Sequence, residues 1–395
     1  MGTDVPFMER AISLARSSQP LAGINPPVGA VLVRDGVVVG QGFHRGPGTL
    51  HAEAAALLDA RASIQKTGES LAGATLYCSL EPCCHHGGGK RTPPCTEAII
   101  AAGVSRVVFA SWDPNPRVSG KGAARLREAG VFVEQGLLAD KADGLIEAFS
   151  ASIRLGRPFI RIKWAQSLDG RLACKGGVSR WITNSQARVQ AHVLRSYHDA
   201  VMVGAGTLRA DDPELTVRDA PVRPELGSRQ PIRIIVAGRE PLPLGARVFS
   251  PALVDQTMVL AARSSPVIAQ CRLAGVRVRD IASTPDGLPD LLDGLRALYA
   301  DGIGSILVEG GSRLITAFLA RGLWDAVAVF TAPLILGQGI EAVGNLGIES
   351  PGSGIKLMNA RFQAGDGFIR LDAQNPAACA GSPAVGAQEE SCLRD

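Results

Sequence analysis

The residues of this 395-residue chain that could do chemistry gather near its start. His51-Ala52-Glu53 opens an Ala- and Leu-rich run. About thirty residues on, Pro82-Cys83-Cys84-His85-His86 follows the strand-like "ATLYCSL", and another thiol, Cys95, stands at the start of a helical pattern. One imidazole and two thiolates leave the fourth position of a tetrahedral zinc ion open for water, which marks a catalytic rather than a structural site. Zinc brings that water to a pKa of about 7. Glu53 reaches the same water without being a ligand, and it is placed to move a proton from water to a leaving group.

His-x-Glu followed by Pro-Cys and a second Cys is the order used by zinc deaminases. The common Pro-Cys-x-x-Cys spacing is absent. Side chains of adjacent cysteines diverge, so we read His51, Cys83 and Cys95 as the ligands and Cys84 as a packing residue or one behind the ligands. His85 and His86 read as loop polar groups, with metal or substrate contact as the alternative. Alone, a His at a helix start is ordinarily a cap and a Cys ordinarily core filler. Their joint order favours the metal.

The elements that must position these groups are legible. Residues 5–19 form an amphipathic pattern, and Arg34-Asp35-Gly36 joins two β-branched runs as a hairpin. A helix over 51–62, a strand over 74–80, a Gly- and Pro-rich loop, a helix near 95–103 and a strand over 105–111 follow, then helix 122–130 and strand 131–136. Strands alternating with helices predict an α/β layer fold. The alternation restarts at a strand over 159–165, after Gly156-Arg157-Pro158, which places a domain boundary near 150–157. Beyond it "DAVMVGAGTL", "PIRIIVAG", "TMVLAA", "VRVRDI", "SILVEGG" and "AVAVFTAPLIL" read as strands, several apolar enough to be covered on both faces. Residues 374–395 lack any period and read as a disordered tail.

Composition narrows the function classes. Residues 1–150 hold 14 Lys+Arg and 14 Asp+Glu, which leaves 27 against 23 of the chain's 41 and 37 for the rest. A neutral first segment disfavours nucleic acid as its substrate and leaves a phosphorylated small molecule open. No apolar run of 18 residues predicts a membrane span. The N-terminus is a poor secretion signal, and clustered thiols suit a reducing cytosol better than a disulfide framework.

With "NPPVGAVLV", "GFH", "HAE", "LEPC", "HHG", "RTPPC" and "DPNP", and then "SLDGR", "SRWIT", "LRADDPELTVR" and "VEGG", the chain resembles the bifunctional deaminase/reductase family of riboflavin biosynthesis from about residue 5 to 373. The resemblance implies a three-layer α/β/α, cytidine-deaminase-like domain over 1–150. It also implies a dihydrofolate-reductase-like α/β domain over 151–373. The first would remove the exocyclic amine at C2 of a diaminopyrimidinone ribosyl 5′-phosphate. His51, Cys83 and Cys95 would then bind zinc, Glu53 would move the proton, and Asn25 and His44 would line the base pocket. One departure from the family pattern is the extra Gly88-Gly89-Lys90, which lengthens the loop between the two thiols at small entropic cost.

Residues 151–373 show no second zinc pattern and no G-x-G-x-x-G after the first strand. "VEGGSRLITAFLA" reads as strand, turn and helix, either a plain turn or a phosphate seat at the helix start. The resemblance implies NADPH, delivering hydride to the ribose C1′. By residue, Ala165, Trp181, Thr183, Thr207, Asp211, Gly311, Ser312, Arg313, Leu314, Ile315, Thr316 and Ala317 would contact NADPH. Ser179, Arg195, Leu215, Arg218 and Glu309 would contact substrate. Lys163 and Asp169 would lie near the reacting sugar, with a strand-end charge and a turn residue as their plain alternatives. Arg195 and Arg218 suit a phosphate, which guanidinium binds bidentately. The overall expectation is a cytosolic homo-oligomer, dimer or tetramer. The competing readings are a nucleoside or tRNA deaminase with an unrelated appendage, and a zinc-stabilised scaffold without catalysis.

Overall fold

The computed structural model describes residues 4–64, 70–85, 93–179, 181–218 and 229–379. His86, the Gly88-Gly89-Lys90 insertion, Arg180 and the tail from 380 onward lie outside them. In chain order the elements are α1 (Val5–Ala22), β1 (Gly29–Arg34), β2 (Val37–Phe43), α2 (Ala52–Ile64), β3 (Thr75–Leu80), α3 (Cys95–Ala101), β4 (Arg106–Ser111), α4 (Lys121–Glu128), β5 (Phe132–Gln135), α5 (Ala139–Asp143) and α6 (Glu147–Leu155). Next come β6 (Phe159–Gln166), β7 (Arg171–Cys174), α7 (Ser185–Ser196), β8 (Ala200–Gly204), α8 (Ala205–Asp211), β9 (Ile232–Val236), β10 (Thr257–Ala262), α9 (Val267–Leu273), β11 (Arg277–Ile281), α10 (Leu291–Ala300) and β12 (Ser305–Val308). The chain closes with α11 (Ser312–Ala320), β13 (Ala326–Thr331), β14 (Gly339–Glu341), β15 (Met358–Gly365), β16 (Phe368–Gln374) and a one-turn helix, Pro376–Cys379.

Two compact units result, residues 1–159 with 189–307, and 160–188 with 308–395. In the first unit, strand order β2-β1-β3-β4-β5 makes a five-stranded sheet, antiparallel from β2 to β3 and parallel from β3 to β5. Alternate residues of β1 point to opposite faces. Ala30 and Leu32 pack with α2, α3 and α4, while Val31 and Val33 pack with Met8, Ala11 and Ile12 of α1. That is the expected three-layer arrangement. The same unit carries the strand run β11-β10-β9-β8-β12, whose β8 to β11 pairings are parallel. In the second unit the run is β6-β13-β16-β15, with β6 and β13 parallel and the β15–β16 hairpin antiparallel.

Three sequence expectations need correction. "DAVMVGAGTL" is not one strand: β8 stops at Gly204, just after Val201-Met202-Val203, and Ala205–Asp211 turns helical with Leu208 in the core. "AVAVFTAPLIL" ends as a strand at Thr331, because Pro333 cannot extend a ladder, and Ile335 beyond it is 71% exposed. The first helix runs on to Ala22 and carries Pro20 in its final turns, where one missing N–H removes a single helical bond.

Two features hold the zinc-side layers in place. A Cβ built on Gly42 of β2 would lie 2.5 Å from the backbone N of Ala56 and 2.6 Å from the carbonyl O of Ala52. One on Gly40 would lie 2.4 Å from the carbonyl O of Ala56. Only glycine lets α2 sit this close to β2, and α2 carries Glu53. On the opposite face Asp4 accepts two hydrogen bonds from the Arg106 guanidinium, each at 2.9 Å, and one from the Tyr77 hydroxyl. The Arg106 bond is the main cause that holds the Asp4 carboxyl at about 2, below its usual 3.8.

Gly42→Val should therefore cost about 3 kcal/mol or more by driving a side chain into helix backbone. Thermal unfolding and retained zinc would read this out, and an unchanged melting temperature would show that the seam yields. Because the folded-state pKa of Asp4 lies below its ordinary value, its contribution is present above about pH 4 and fades as pH falls toward about 2. Asp4→Asn should remove that part of the acid limb in urea unfolding measured across this range.

Candidate active site

His51 immediately precedes α2, and its carbonyl accepts the first helical bond from Ala55 N at 2.9 Å. Its ring is thereby fixed at the mouth of the sheet. β3 ends at Leu80, and Glu81-Pro82-Cys83 leaves its carboxyl end, where loops of parallel α/β sheets hold ligands. Pro93-Pro94 leads into α3, which begins with Cys95. The two thiol segments are tied to each other: Thr96 N donates to the Cys83 carbonyl at 3.2 Å, and Cys95 N donates to Cys83 Sγ at 3.4 Å.

His51 Nδ1 stands 3.4 Å from Cys83 Sγ and 3.4 Å from Cys95 Sγ. All three donor atoms fall within 4.8 Å of one another. Tetrahedral zinc with ordinary Zn–N and Zn–S bonds separates such donors by roughly 3.6 Å, so the three side chains fit the ion. Both cysteines are buried and His51 is half-buried. Cys84 is not part of this group; burial pushes its thiol pKa up.

Glu53 is 3% exposed. Burial, then the neighbouring Cys83 charge, raises its pKa. It faces a cavity of about 440 Å³, also lined by Asn25, His44, His51, Cys83 and Asp113, large enough for a nucleotide-sized ligand. The His44 ring bonds Asn25 Nδ2 through Nε2 at 2.9 Å and the Leu50 carbonyl through Nδ1 at 3.0 Å. The carbonyl can only accept, so Nδ1 carries the proton and Nε2 accepts from Asn25. Burial lowers the His44 pKa further below neutrality. A neutral ring results.

Two acidic residues of this cavity were missed by sequence reasoning. Asp113 of "DPNP" lines it, with a pKa raised to about 7, first by burial. Its Oδ1 accepts from Asn115 N at 2.8 Å, so the signal was the Asp-Pro-Asn turn itself. Glu81, 2% exposed, accepts from Gly120 N at 3.0 Å and Ala123 N at 3.1 Å, which ties the Pro82-Cys83 corner to the start of α4.

The residues expected in the reductase divide between the units. In the first, Thr207 and Asp211 lie on α8, and Arg195 on α7 donates to the Thr216 carbonyl at 2.9 Å. Leu215 is 2% exposed with φ of 55°, and Arg218 meets Glu214 at 2.6 Å. In the second, Lys163 and Ala165 lie on β6, and Lys163 faces Glu309 at 3.8 Å. Trp181 is 70% exposed under the Arg188 guanidinium, which donates to the Thr183 carbonyl, and Ser179 is half-buried. Gly311 caps α11 in extended conformation, and Ser312, Arg313, Leu314, Ile315, Thr316 and Ala317 form its first turns. Leu314 and Ile315 are buried, and the N–H of each donates to the Gly311 carbonyl, at 3.0 and 3.2 Å. Asp169 serves the loop, accepting from Ser167 Oγ at 2.6 Å, Leu336 N at 3.1 Å and Gly337 N at 2.7 Å.

Comparison with known proteins agrees with this geometry. The family described as cytidine and deoxycytidylate deaminase zinc-binding region matches residues 1–111, and the RibD C-terminal domain family matches residues 158–367. The riboflavin biosynthesis protein RibD of Aquifex aeolicus is 41% identical over 360 residues, 91% of this chain and 95% of that protein. The Escherichia coli protein of the same name is 39% identical, covering 85% and 89%. Acinetobacter baumannii RibD superposes with a TM-score of 0.81 at 36% identity, covering 95% of this chain and 99% of that one. A Thermotoga maritima diaminohydroxyphosphoribosylaminopyrimidine deaminase/5-amino-6-(5-phosphoribosylamino)uracil reductase superposes with 0.78 at 34% identity, covering 95% and 99%.

The geometry makes unlike demands on the two neighbouring thiols. Cys84→Ser should retain nearly all its zinc, whereas Cys95→Ser should lose it, as measured by metal content of the purified proteins. The opposite pattern would exchange their roles.

Proposed function

The chain belongs to the bifunctional deaminase/reductase family of riboflavin biosynthesis, and from that premise we propose how its residues divide the two reactions. Residues 1–150 carry the deamination and 151–373 the reduction, with the boundary near 150–157. The substrate is 2,5-diamino-6-ribosylamino-4(3H)-pyrimidinone 5′-phosphate, and the final product is 5-amino-6-ribitylaminouracil 5′-phosphate. The observation that carries the reading is the His51, Cys83 and Cys95 donor set beside a buried Glu53 at one cavity.

His51, Cys83 and Cys95 would hold zinc, which when bound supplies a water acidified to near neutrality. Glu53 takes a proton from water and returns it to the amine leaving C2. Water oxygen becomes the C2 carbonyl and the amine departs as ammonia. Burial keeps the proton affinity of Glu53 high, which suits a group that accepts and returns a proton near neutral pH. Asn25 and the neutral His44 line the base, their mutual hydrogen bond fixing both side chains.

In the reductase, NADPH supplies hydride to the ribose C1′. Gly311, Ser312, Arg313, Leu314, Ile315, Thr316 and Ala317 are assigned to NADPH, with its phosphates at the start of α11, where the helix dipole favours an anion, and Ala165, Trp181, Thr183, Thr207 and Asp211 are assigned to the same cofactor. Ser179, Leu215, Arg195, Arg218 and Glu309 are assigned to the sugar phosphate. Lys163, paired with Glu309 at 3.8 Å, is assigned as the cation near the reacting sugar. Among the described residues no helix is long and apolar enough to cross a membrane. Exposed Phe362 and Ile369 on the β15–β16 hairpin support assembly into a homo-oligomer.

Ammonia release and NADPH oxidation, followed together on that substrate, test the reading. Glu53→Gln should keep its zinc while ammonia release falls by a factor of about 10² or more. Normal turnover by this variant would remove Glu53 from the acid/base role. Ammonia released by the unaltered enzyme without any NADPH consumed would overturn the reductase half.

A further inference from the structure

The segment 212–218 carries two guanidinium groups to one residue. Arg195 donates to the Thr216 carbonyl at 2.9 Å and Arg218 to Thr216 Oγ1 at 3.0 Å. The backbone around Thr216 is pinned: Val217 exchanges two bonds with the Gln230 amide at 2.8 and 3.0 Å, and Arg218 N donates to His192 Nδ1 at 3.4 Å. Leu215, at φ 55°, is a strained position that its buried side chain and these ties keep in place. Arg218 is thus held at the Thr216 hydroxyl and Arg195 at the carbonyl of the same residue, two cations placed by one pinned stretch of backbone, which suits a phosphoryl group.

A carboxylate already sits on this site. Glu214 Oε2 lies 2.6 Å from Arg218 Nη1, and Oε1 of the same group lies 3.2 Å from Arg247 Nη1. Arg247 is held independently by Asp212, whose Oδ1 accepts from the Arg247 backbone N at 2.8 Å and whose carbonyl accepts from Arg247 Nε at 2.9 Å. We propose that Glu214 is an exchangeable counter-anion for Arg218, holding the guanidinium until a phosphoryl group takes its place and so setting how strongly charged an anion must be to enter. The proposal rests on the reading that Arg195 and Arg218 receive the substrate phosphate.

Two features make the exchange feasible. The Arg218 side chain is 50% exposed and Glu214 32%, so the pair is open to water and is worth only about a two- to fivefold factor in an equilibrium constant. Glu214 also keeps a cation when it lets go, because Arg247 stays beside it. A dianionic phosphate offers Arg218 more charge than one carboxylate oxygen, whereas a monoanion such as acetate offers no advantage. Glu214 thus acts as a threshold that discriminates phosphorylated from unphosphorylated sugars.

Titration of the full-length, zinc-loaded protein with inorganic phosphate by calorimetry tests this, using E214Q, R218A and the double variant. E214Q should bind phosphate about three- to fivefold more tightly, a gain that structural damage does not produce. R218A should weaken binding about tenfold or more, and E214Q should bring no gain when Arg218 is absent. If R218A binds phosphate as the unaltered protein does, the phosphate assignment itself falls and the proposal with it. If R218A weakens binding but E214Q fails to tighten it, or tightens it equally without Arg218, the exchange is wrong and the phosphate site stands.

Discussion

The deaminase half depends on backbone approaching backbone. Three soft donors must come within about 3.5 Å of each other, yet nothing in their own chemistry draws an imidazole and two thiols together before the ion arrives. The fold does it by removing side chains. Gly40 and Gly42 let α2 rest on β2, and α2 sets both His51 and Glu53. The two cysteine segments are tied to one another by Thr96 N to the Cys83 carbonyl and by Cys95 N to the Cys83 sulfur. Preorganisation of this kind means that ligand geometry is determined by sheet and helix rather than by a mobile loop.

Around that frame, the buried carboxylates have separate work. Glu81 satisfies amide donors at the start of α4 and holds the corner from which Cys83 departs. Asp113 turns its own loop through the Asn115 amide and faces the cavity. Glu53 is buried beside the donor set. Three acids of one cavity thus have three environments, and those environments, more than residue type, separate structure from chemistry.

Much of this was legible in the sequence where physics leaves few choices. Asp35 and Gly36 both take positive φ, as the two-residue turn between β1 and β2 requires. The donor set was legible because a zinc ion with one open position restricts which residue types can serve it. What escaped was context. Ala205–Asp211 was hidden because an apolar run of this length has no decisive period. Asp113 escaped because an Asp before Pro-Asn is the ordinary chemistry of a turn, and only burial shows that it also faces a cavity. Arg218 was read from the sequence as suited to a phosphate, while its pairing with Glu214, four residues earlier in a non-helical segment, could not be seen without coordinates.

The pinning of Cys83 to Cys95 carries an evolutionary consequence. Eleven residues separate the two thiols, yet Thr96 N bonds the Cys83 carbonyl and Cys95 N the Cys83 sulfur, so the two ends of the span are tied to each other directly. Loop-closure entropy rises only logarithmically with length. Insertions and composition changes there can accumulate with little penalty to the ion. The span between the thiols can therefore drift among relatives while the hydrolytic centre stays fixed, without loss of reactivity.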